Sequence, residues 1–309
     1  MKLSRKKHVL ILTLIGLVYF VGVAAIIYPI VGSVYSTQSS KDSIRSYADT
    51  VQKMPKEEID HRLEQARQYN RALAEGTVEE TLSKVLCQPD GLMCYVDIPR
   101  LNIYLPVYYG TSSEVLEKGC GWLEKTSLPV GGTSTHASIS GHTGLPNAEM
   151  FTKLDNARVG DVFYLHVLDE TLSYVVDSIN TVTPNDTEHL LIQDGQDYVT
   201  LLTCTPYGIN DKRLLVRGKR FTAEPLIDTS RSQQESVVPE APAQVASRID
   251  DSLQRQIDHH MTVIIVIVAV SVIVFIAACI WLSIVLRRRA RLTASDRRLS
   301  EEEHGEKKE

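Results

Sequence analysis

Tyr198-Val199-Thr200-Leu201-Leu202-Thr203-Cys204-Thr205-Pro206-Tyr207-Gly208-Ile209-Asn210-Asp211-Lys212-Arg213-Leu214-Leu215-Val216-Arg217 reads as strand, turn, strand. An aliphatic and β-branched run ends at Cys204, Pro206, Gly208 and Asn210 supply turn chemistry, and a second aliphatic run follows. Working outward, the same punctuated pattern recurs at Met93–Ile98, Ile103–Tyr108, Gly119–Leu123, His136–Ser140, Asp161–Val167, Leu172–Ile179, Tyr198–Thr203 and Leu214–Arg220. Eight short strands with few long helices between them predict a mainly β fold, a closed barrel or a sandwich. Phe151–Asn156 reads as one helical turn within a crossover. Before the strands, Ser36–Ala74 is polar with helical spacing. Within it, Pro55-Lys56-Glu57-Glu58 opens an amphipathic helix with Ile59, Leu63, Ala66, Tyr69 and Leu73 on one face, and Gly76 closes it.

Two apolar spans flank this polar body. Val9–Gly32 leaves the apolar set only at Thr13, Gly16, Gly22, Pro29 and Gly32, and Met261–Leu286 only at Thr262, Ser271 and Ser283. Each is long enough to cross ~30 Å of hydrocarbon as a helix. The first exceeds the h-region of a cleaved signal peptide and reads as a retained anchor. The chain averages, 309 residues at 43% hydrophobic and 23% charged, therefore describe neither the spans nor the body. Two apolar spans around one polar body exclude a purely cytosolic enzyme, a disordered chain, a collagen and a polytopic transporter. Lys2, Arg5, Lys6 and Lys7 before the first span, and Arg287, Arg288, Arg289 and Arg291 after the second, place both termini in the cytoplasm and the middle outside. With +4 before the first span and +2 after the second, the stretch between holds −11 of a total of −5. That balance argues against a nucleic-acid partner. The expected layout is a basic N-terminus at 1–8, a transmembrane helix at 9–32, a helical, lid-like segment at 33–92 and a β-rich catalytic domain at 93–222. A Pro/Ser/Gln-rich stalk at 223–260, whose Ile249–His260 end reads as an extension of the helix after it, a second transmembrane helix at 261–286 and a cytoplasmic tail at 287–309 follow, with disorder expected from Arg297 onward.

Five cysteines without metal-ligand spacing give neither a disulfide framework nor a metal site; a Cys87–Cys94 bridge is one option. Cys279 lies in a span, and Cys120, between two glycines, reads as a buried thiol. Cys204 differs, because a thiol at a strand end beside a turn is fixed by the sheet yet reachable. A nucleophilic thiol needs an acid/base and an oxyanion partner. Of nine histidines, His142 has the most suggestive setting, Ser140-Gly141-His142-Thr143-Gly144, just past a strand and flanked by glycines. His136, His166 and His189 carry no such context. Arg213 opens the strand that returns from Cys204, so an antiparallel pair would bring its guanidinium near the thiol.

The stretch from Thr200 to Gly218 resembles the signature of sortases, and its Thr-Pro-Tyr-Gly and Leu-Leu-Val-Arg-Gly parts resemble the pilus-assembling class C branch. Ser140-Gly141-His142 with Gly144-Leu145-Pro146, Gly119-Cys120-Gly121-Trp122-Leu123-Glu124 and Ser127-Leu128-Pro129-Val130-Gly131-Gly132 are similar to the same branch. The resemblance covers about Tyr69–Phe221 and the two-anchor layout. It implies a closed eight-stranded barrel with N-terminal helices and a site of His142, Cys204 and Arg213. It also implies substrate contacts from Thr203, Thr205, Tyr207 and Asn210, and no cofactor. The implied partners are pilins or other LPxTG-type surface proteins and the lipid bilayer. The implied reaction is attack of Cys204 on the Thr–Gly carbonyl of a sorting signal, then resolution of the thioester by a pilin lysine. A peptidoglycan amine or water as acceptor would make the protein a cell-wall anchoring enzyme or a thiol hydrolase instead; a peptide-binding adhesin would have no need of the three residues together. Two departures from the branch stand out. No Asp-Pro-aromatic lid precedes the barrel, leaving Cys87 as an alternative plug, and Thr143 stands where a basic residue is usual.

Overall fold

The computed structural model describes residues 5–77, 80–146, 148–221 and 242–306. They form two units, Tyr28–Asp258 and a second made of the chain up to Ile27 with that from His259. In order, the elements are α1 (Arg5–Lys53), α2 (Lys56–Glu75), β1 (Leu92–Ile98), β2 (Ile103–Tyr109), α3 (Ser113–Lys118), β3 (Cys120–Trp122), β4 (Thr135–Ser140), β5 (Val162–Val167), β6 (Glu170–Val182), β7 (Asp197–Thr205), β8 (Lys212–Arg220) and α4 (Pro242–Glu306).

The strands close into a barrel in the order β1-β2-β3-β4-β7-β8-β6-β5. Closure leaves no edge strand to pair with another chain, which decides between barrel and sandwich. Two pairings are parallel, β2 with β3 and β4 with β7; the others are antiparallel. Val199 and Leu201 on β7 and Ala137 and Ile139 on β4 point into the buried core with Trp122, Phe163, Leu165 and Val216. By the two-residue period of a strand, Thr200, Leu202 and Cys204, and His136, Ser138 and Ser140, lie on the outer face. Phe163 stacks on Tyr174 at 5.5 Å, and a Cβ added at Gly218 would fall 2.3 Å from the Phe163 ring. Gly218→Ala is therefore expected to cost about 2–3 kcal/mol through overpacking. A urea titration should show it as a lower midpoint at unchanged slope.

The helices dock on this barrel through the stripes their sequences carry. Ile59, Leu63, Ala66 and Tyr69 of α2 are buried, Ile59 and Leu63 each contributing about 1.5–3 kcal/mol if fully removed from water. Gly76, at φ +74, ends α2: its N–H reaches Leu73 O and the Thr77 N–H reaches Ala72 O, the double bond of a Schellman turn. Buried Asn70 then imitates a strand partner, donating to Leu128 O at 3.0 Å and accepting from Leu128 N at 2.7 Å. On α1, the Tyr47 hydroxyl donates to Met93 O at 2.9 Å and accepts from Leu168 N at 2.7 Å.

Three expectations change. All five cysteines are free, so Cys87 and Cys94 are not bridged. Of the stalk expected at 223–260, residues 223–241 lie outside the described residues, and the helix expected from Ile249 already begins at Pro242. Pro242 suits a first helical position, and Val245, Ile249, Leu253 and Ile257 recur every fourth residue. Leu253 and Ile257 are buried, Ser252 Oγ donates to Asn102 Oδ1 at 2.7 Å and Gln256 Nε2 to Asn102 O at 3.0 Å. The tail is helical through Glu306 rather than disordered from Arg297. Arg297 and Arg298 each stand four residues before a glutamate, a spacing that supports a helix.

The other unit holds the apolar parts of α1 and α4, both long and apolar enough to cross a membrane. Leu14, Ile15, Val18, Ile265, Val266 and Trp281 are exposed there, as lipid-facing side chains are. Tyr19 stacks on Phe275 at 6.0 Å and its hydroxyl donates to Ser271 O at 2.8 Å.

Candidate active site

Strand register brings two of the three candidate residues together. On β7 and β8, Cys204 is the direct partner of Arg213. On β4 and β7, Ser140 is level with Leu202, and the Gly141 N–H still bonds Leu202 O at 3.0 Å. His142 follows two residues later, in the loop that leaves β4 at the end where β7 carries Cys204. Cys204, His142 and Arg213 are each half-buried.

The His142 loop is held from both sides. Thr203, 2% exposed, donates its hydroxyl to Gly141 O at 2.7 Å and lies 2.9 Å from Thr143 Oγ1. Thr143 Oγ1 is 3.3 Å from Phe151 O, and the Phe151 N–H bonds His142 O at 3.0 Å. Gly141 is required by space: an added Cβ would sit 2.6 Å from the Phe151 ring and 3.1 Å from Cys120 Sγ. At Gly144, φ is +75 and the Tyr207 ring would lie 3.1 Å from an added Cβ, so the β7–β8 turn rests on the His142 loop.

Of the residues expected to touch substrate, Thr205 is half-buried beside the thiol, and Tyr207 and Asn210 are exposed in the turn. Asn210, at φ +60, uses its carbonyl to accept from Arg213 Nη1 at 3.3 Å, and Lys212 O accepts from the same nitrogen at 3.0 Å. Thr203 is buried with its hydroxyl engaged, so it acts on the site through the His142 loop. Thr143, in place of a basic residue, does the same.

The other body thiols are poor nucleophiles. Burial pushes Cys87 up to about 11 and holds Cys94 and Cys120 far above the usual thiol range. The charged neighbours of Cys87 are Lys84, Arg62 and Asp90, with Cys94 beside it, which gives no support to a plug over Cys204. Among the described residues no cluster of His, Cys, Asp or Glu could hold a metal ion. His136, which lacks any local sequence signal, is wholly buried, with Nε2 2.7 Å from Thr200 Oγ1 and Nδ1 2.9 Å from Leu191 O. Only the β4–β7 pairing brings these partners together.

A family model described as the sortase domain matches residues 96–221. Sortase A of Bacillus anthracis is 27% identical over 124 residues, 40% of this chain and 57% of that protein. Sortase A of Streptococcus agalactiae serotype III (strain NEM316) is 30% identical over 113 residues, 36% of this chain and 45% of that protein. The chain thus spans only 57% and 45% of the length of these two curated relatives. Among solved structures, the sortase C of Streptococcus pneumoniae is 47% identical with a TM-score of 0.55, over 59% of this chain and 97% of its own. The sortase C of Clostridium perfringens, determined with the C-terminal cell wall sorting motif, is 47% identical with a TM-score of 0.56, over 59% and 98%.

Proposed function

The chain belongs to the sortase family, and from that premise we propose that it is a membrane-anchored cysteine transpeptidase that cleaves an LPxTG-like sorting signal and joins it to a pilin lysine. The observation that carries this reading is the direct pairing of Cys204 with Arg213 across β7 and β8, with the His142 loop tied to β7 through Gly141. Cys204 Sγ attacks the Thr carbonyl of the sorting signal, the oxyanion forms beside the Arg213 guanidinium, and the Thr–Gly C–N bond breaks as His142 gives its proton to the leaving amine. The thioester keeps the acyl group activated, so no nucleotide is consumed. The lysine Nζ then loses a proton to His142 and attacks the thioester, forming the isopeptide bond and releasing the thiol. Pilin as the acceptor is supported by the 47% identity to two sortase C structures, one described for its pilin substrate specificity and one with a sorting motif. The basic flanks of the two apolar helices support an orientation with both termini in the cytoplasm and the barrel outside.

The test uses the full chain in detergent, because Leu253 and Ile257 beyond the strands are buried. It is incubated with an LPxTG peptide, with and without a pilin carrying a free lysine, and followed by mass spectrometry. A thioester on Cys204 and an isopeptide product are expected. Absence of the thioester would sink the reading, and hydrolysis alone despite abundant lysine would replace it with a thiol hydrolase. Thr203→Val, which removes the strap on the His142 loop, is expected to slow thioester formation roughly 10–100-fold. Thr203→Ser, which keeps the hydroxyl, should stay near wild type.

A further inference from the structure

We propose that Ser252–Ile257 of α4 is a positioning element of the catalytic site: through Asn102 and Met150 it fixes the crossover from β4 to β5, and with it the loop that carries His142. This rests on the transpeptidase reading.

One side of these two turns is docked and the other is open to solvent. Ser252, Leu253 and Ile257 are buried and Gln256 is half-buried, while Asp251, Gln254, Arg255 and Asp258 are exposed, the division that 3.6 residues per turn makes when a helix packs along one face. The docked side grips Asn102, which closes the β1–β2 turn in the left-handed region at φ +55: Ser252 Oγ donates to its side-chain oxygen and Gln256 Nε2 to its carbonyl. From α1, Lys41 Nζ donates to Gln254 Oε1 at 2.9 Å and holds the helix from beside.

Two routes lead from here to the crossover. In the first, Arg100, two residues before Asn102, bonds both oxygens of Asp161 and the Asn156 carbonyl at the far end of the crossover. In the second, Leu253 and Gln256 meet Met150 across a cavity of only about 30 Å³, the space of one water molecule, whose other walls include Ser40 of α1 and Tyr104 of β2.

Met150 is 4% exposed and stands at φ +39, a region that a non-glycine residue keeps only where its surroundings impose it. Those surroundings include α4. The next residue, Phe151, is wholly buried and holds the histidine loop at three consecutive positions: its ring fills the space beside Gly141, its N–H bonds His142 O and its carbonyl accepts from Thr143 Oγ1. Thr152 Oγ1 adds a fourth tie by accepting from the Gly144 N–H at 3.0 Å. Cys204 and Arg213 are set by the pairing of β7 with β8, outside this path. Loosening α4 therefore displaces the acid/base and leaves the nucleophile and the oxyanion donor in place.

The test compares full-length wild type in detergent with Leu253→Ala, Leu253→Met, Met150→Ala, the Met150→Ala/Leu253→Ala double variant and Ser252→Ala/Gln256→Leu. Thioester formation is followed at several concentrations of an LPxTG peptide, and amide exchange is read by mass spectrometry across 148–156 and across β7 and β8. Leu253→Ala is expected to lower kcat about tenfold with KM within about twofold, because His142 acts in proton transfer and not in holding the peptide. Exchange across 148–156 should rise at least fivefold while β7 and β8 keep their rates. Leu253→Met, which refills the space, should stay near wild type. Met150→Ala should resemble Leu253→Ala, and the double variant should be no worse than either alone, since both break one contact. Where Leu253→Ala does not fold, Ser252→Ala/Gln256→Leu, which removes only the two hydrogen bonds to Asn102, should show the same changes at about threefold. Unchanged exchange in Leu253→Ala, faster exchange at unchanged kcat, faster exchange spread equally over β7 and β8, or losses that multiply in the double variant would overturn the proposal. A wild type that forms no thioester would count against the transpeptidase reading, while the exchange comparison would still decide whether α4 holds the crossover.

Discussion

Cys204→Ala abolishes thioester formation and product, a loss of roughly 10⁴-fold or more, because no other body thiol can take over the attack. Cys94 and Cys120 are wholly buried and held protonated by burial, and Cys87 is pushed up to about 11. At neutral pH their thiolate fractions are negligible, and none lies on β7 or β8. The fold should survive, since Cys204 is half-buried at a strand end and the change removes one sulfur atom. Matched thermal unfolding of variant and wild type, beside an intact-mass search for the acyl-enzyme, separates lost chemistry from lost structure. An acyl adduct on the variant would show that another nucleophile does the work.

Arg213→Ala is expected to lower kcat/KM for thioester formation by about 10²–10³-fold, the usual cost of removing an oxyanion donor. The guanidinium is held by two carbonyls at one nitrogen, Lys212 O at 3.0 Å and Asn210 O at 3.3 Å, so its remaining N–H groups are presented in a fixed direction. Arg213→Lys keeps the charge but not the planar fork, and should recover only part of the loss. The loss should fall on kcat more than on KM, because the oxyanion exists in the transition state and not in the bound peptide. A rise in KM alone would assign Arg213 to peptide binding instead.

Most of the barrel was legible because each strand is short and closed by its own turn residues; all eight runs appear, shifted by a residue or two at most ends. β6 is the exception. The alternating pattern fades after Ile179, yet the strand continues through Asn180 and Thr181 to Val182, because β8 supplies partners as far as Arg213. Polar residues in that stretch carry no periodic signal; the pairing alone holds them extended. Closure was beyond local reading for a similar reason, since β3 has three residues and takes its place from a parallel match with β2. At the site, the thiol and the histidine each stand beside glycine or turn residues that betray a constrained backbone. His136 stands in an ordinary strand, and its partners lie 55 and 64 positions away. Helix before the second span was legible from Ile249 onward, whereas 242–248 was hidden by the Pro- and Ser-rich stretch before it.

The parallel pairing of β4 with β7 bears on how activity is regained after unfolding. Neighbours in an antiparallel hairpin meet through a short turn, but β4 must wait for the intervening β5 and β6 before β7 can lie beside it. Contacts of such sequence separation form late and slowly. A refolding chain should therefore recover far-ultraviolet ellipticity and helix docking before it can be acylated. The reappearance of acylation would time the last seam of the barrel, making the enzyme's own chemistry the clock for its assembly.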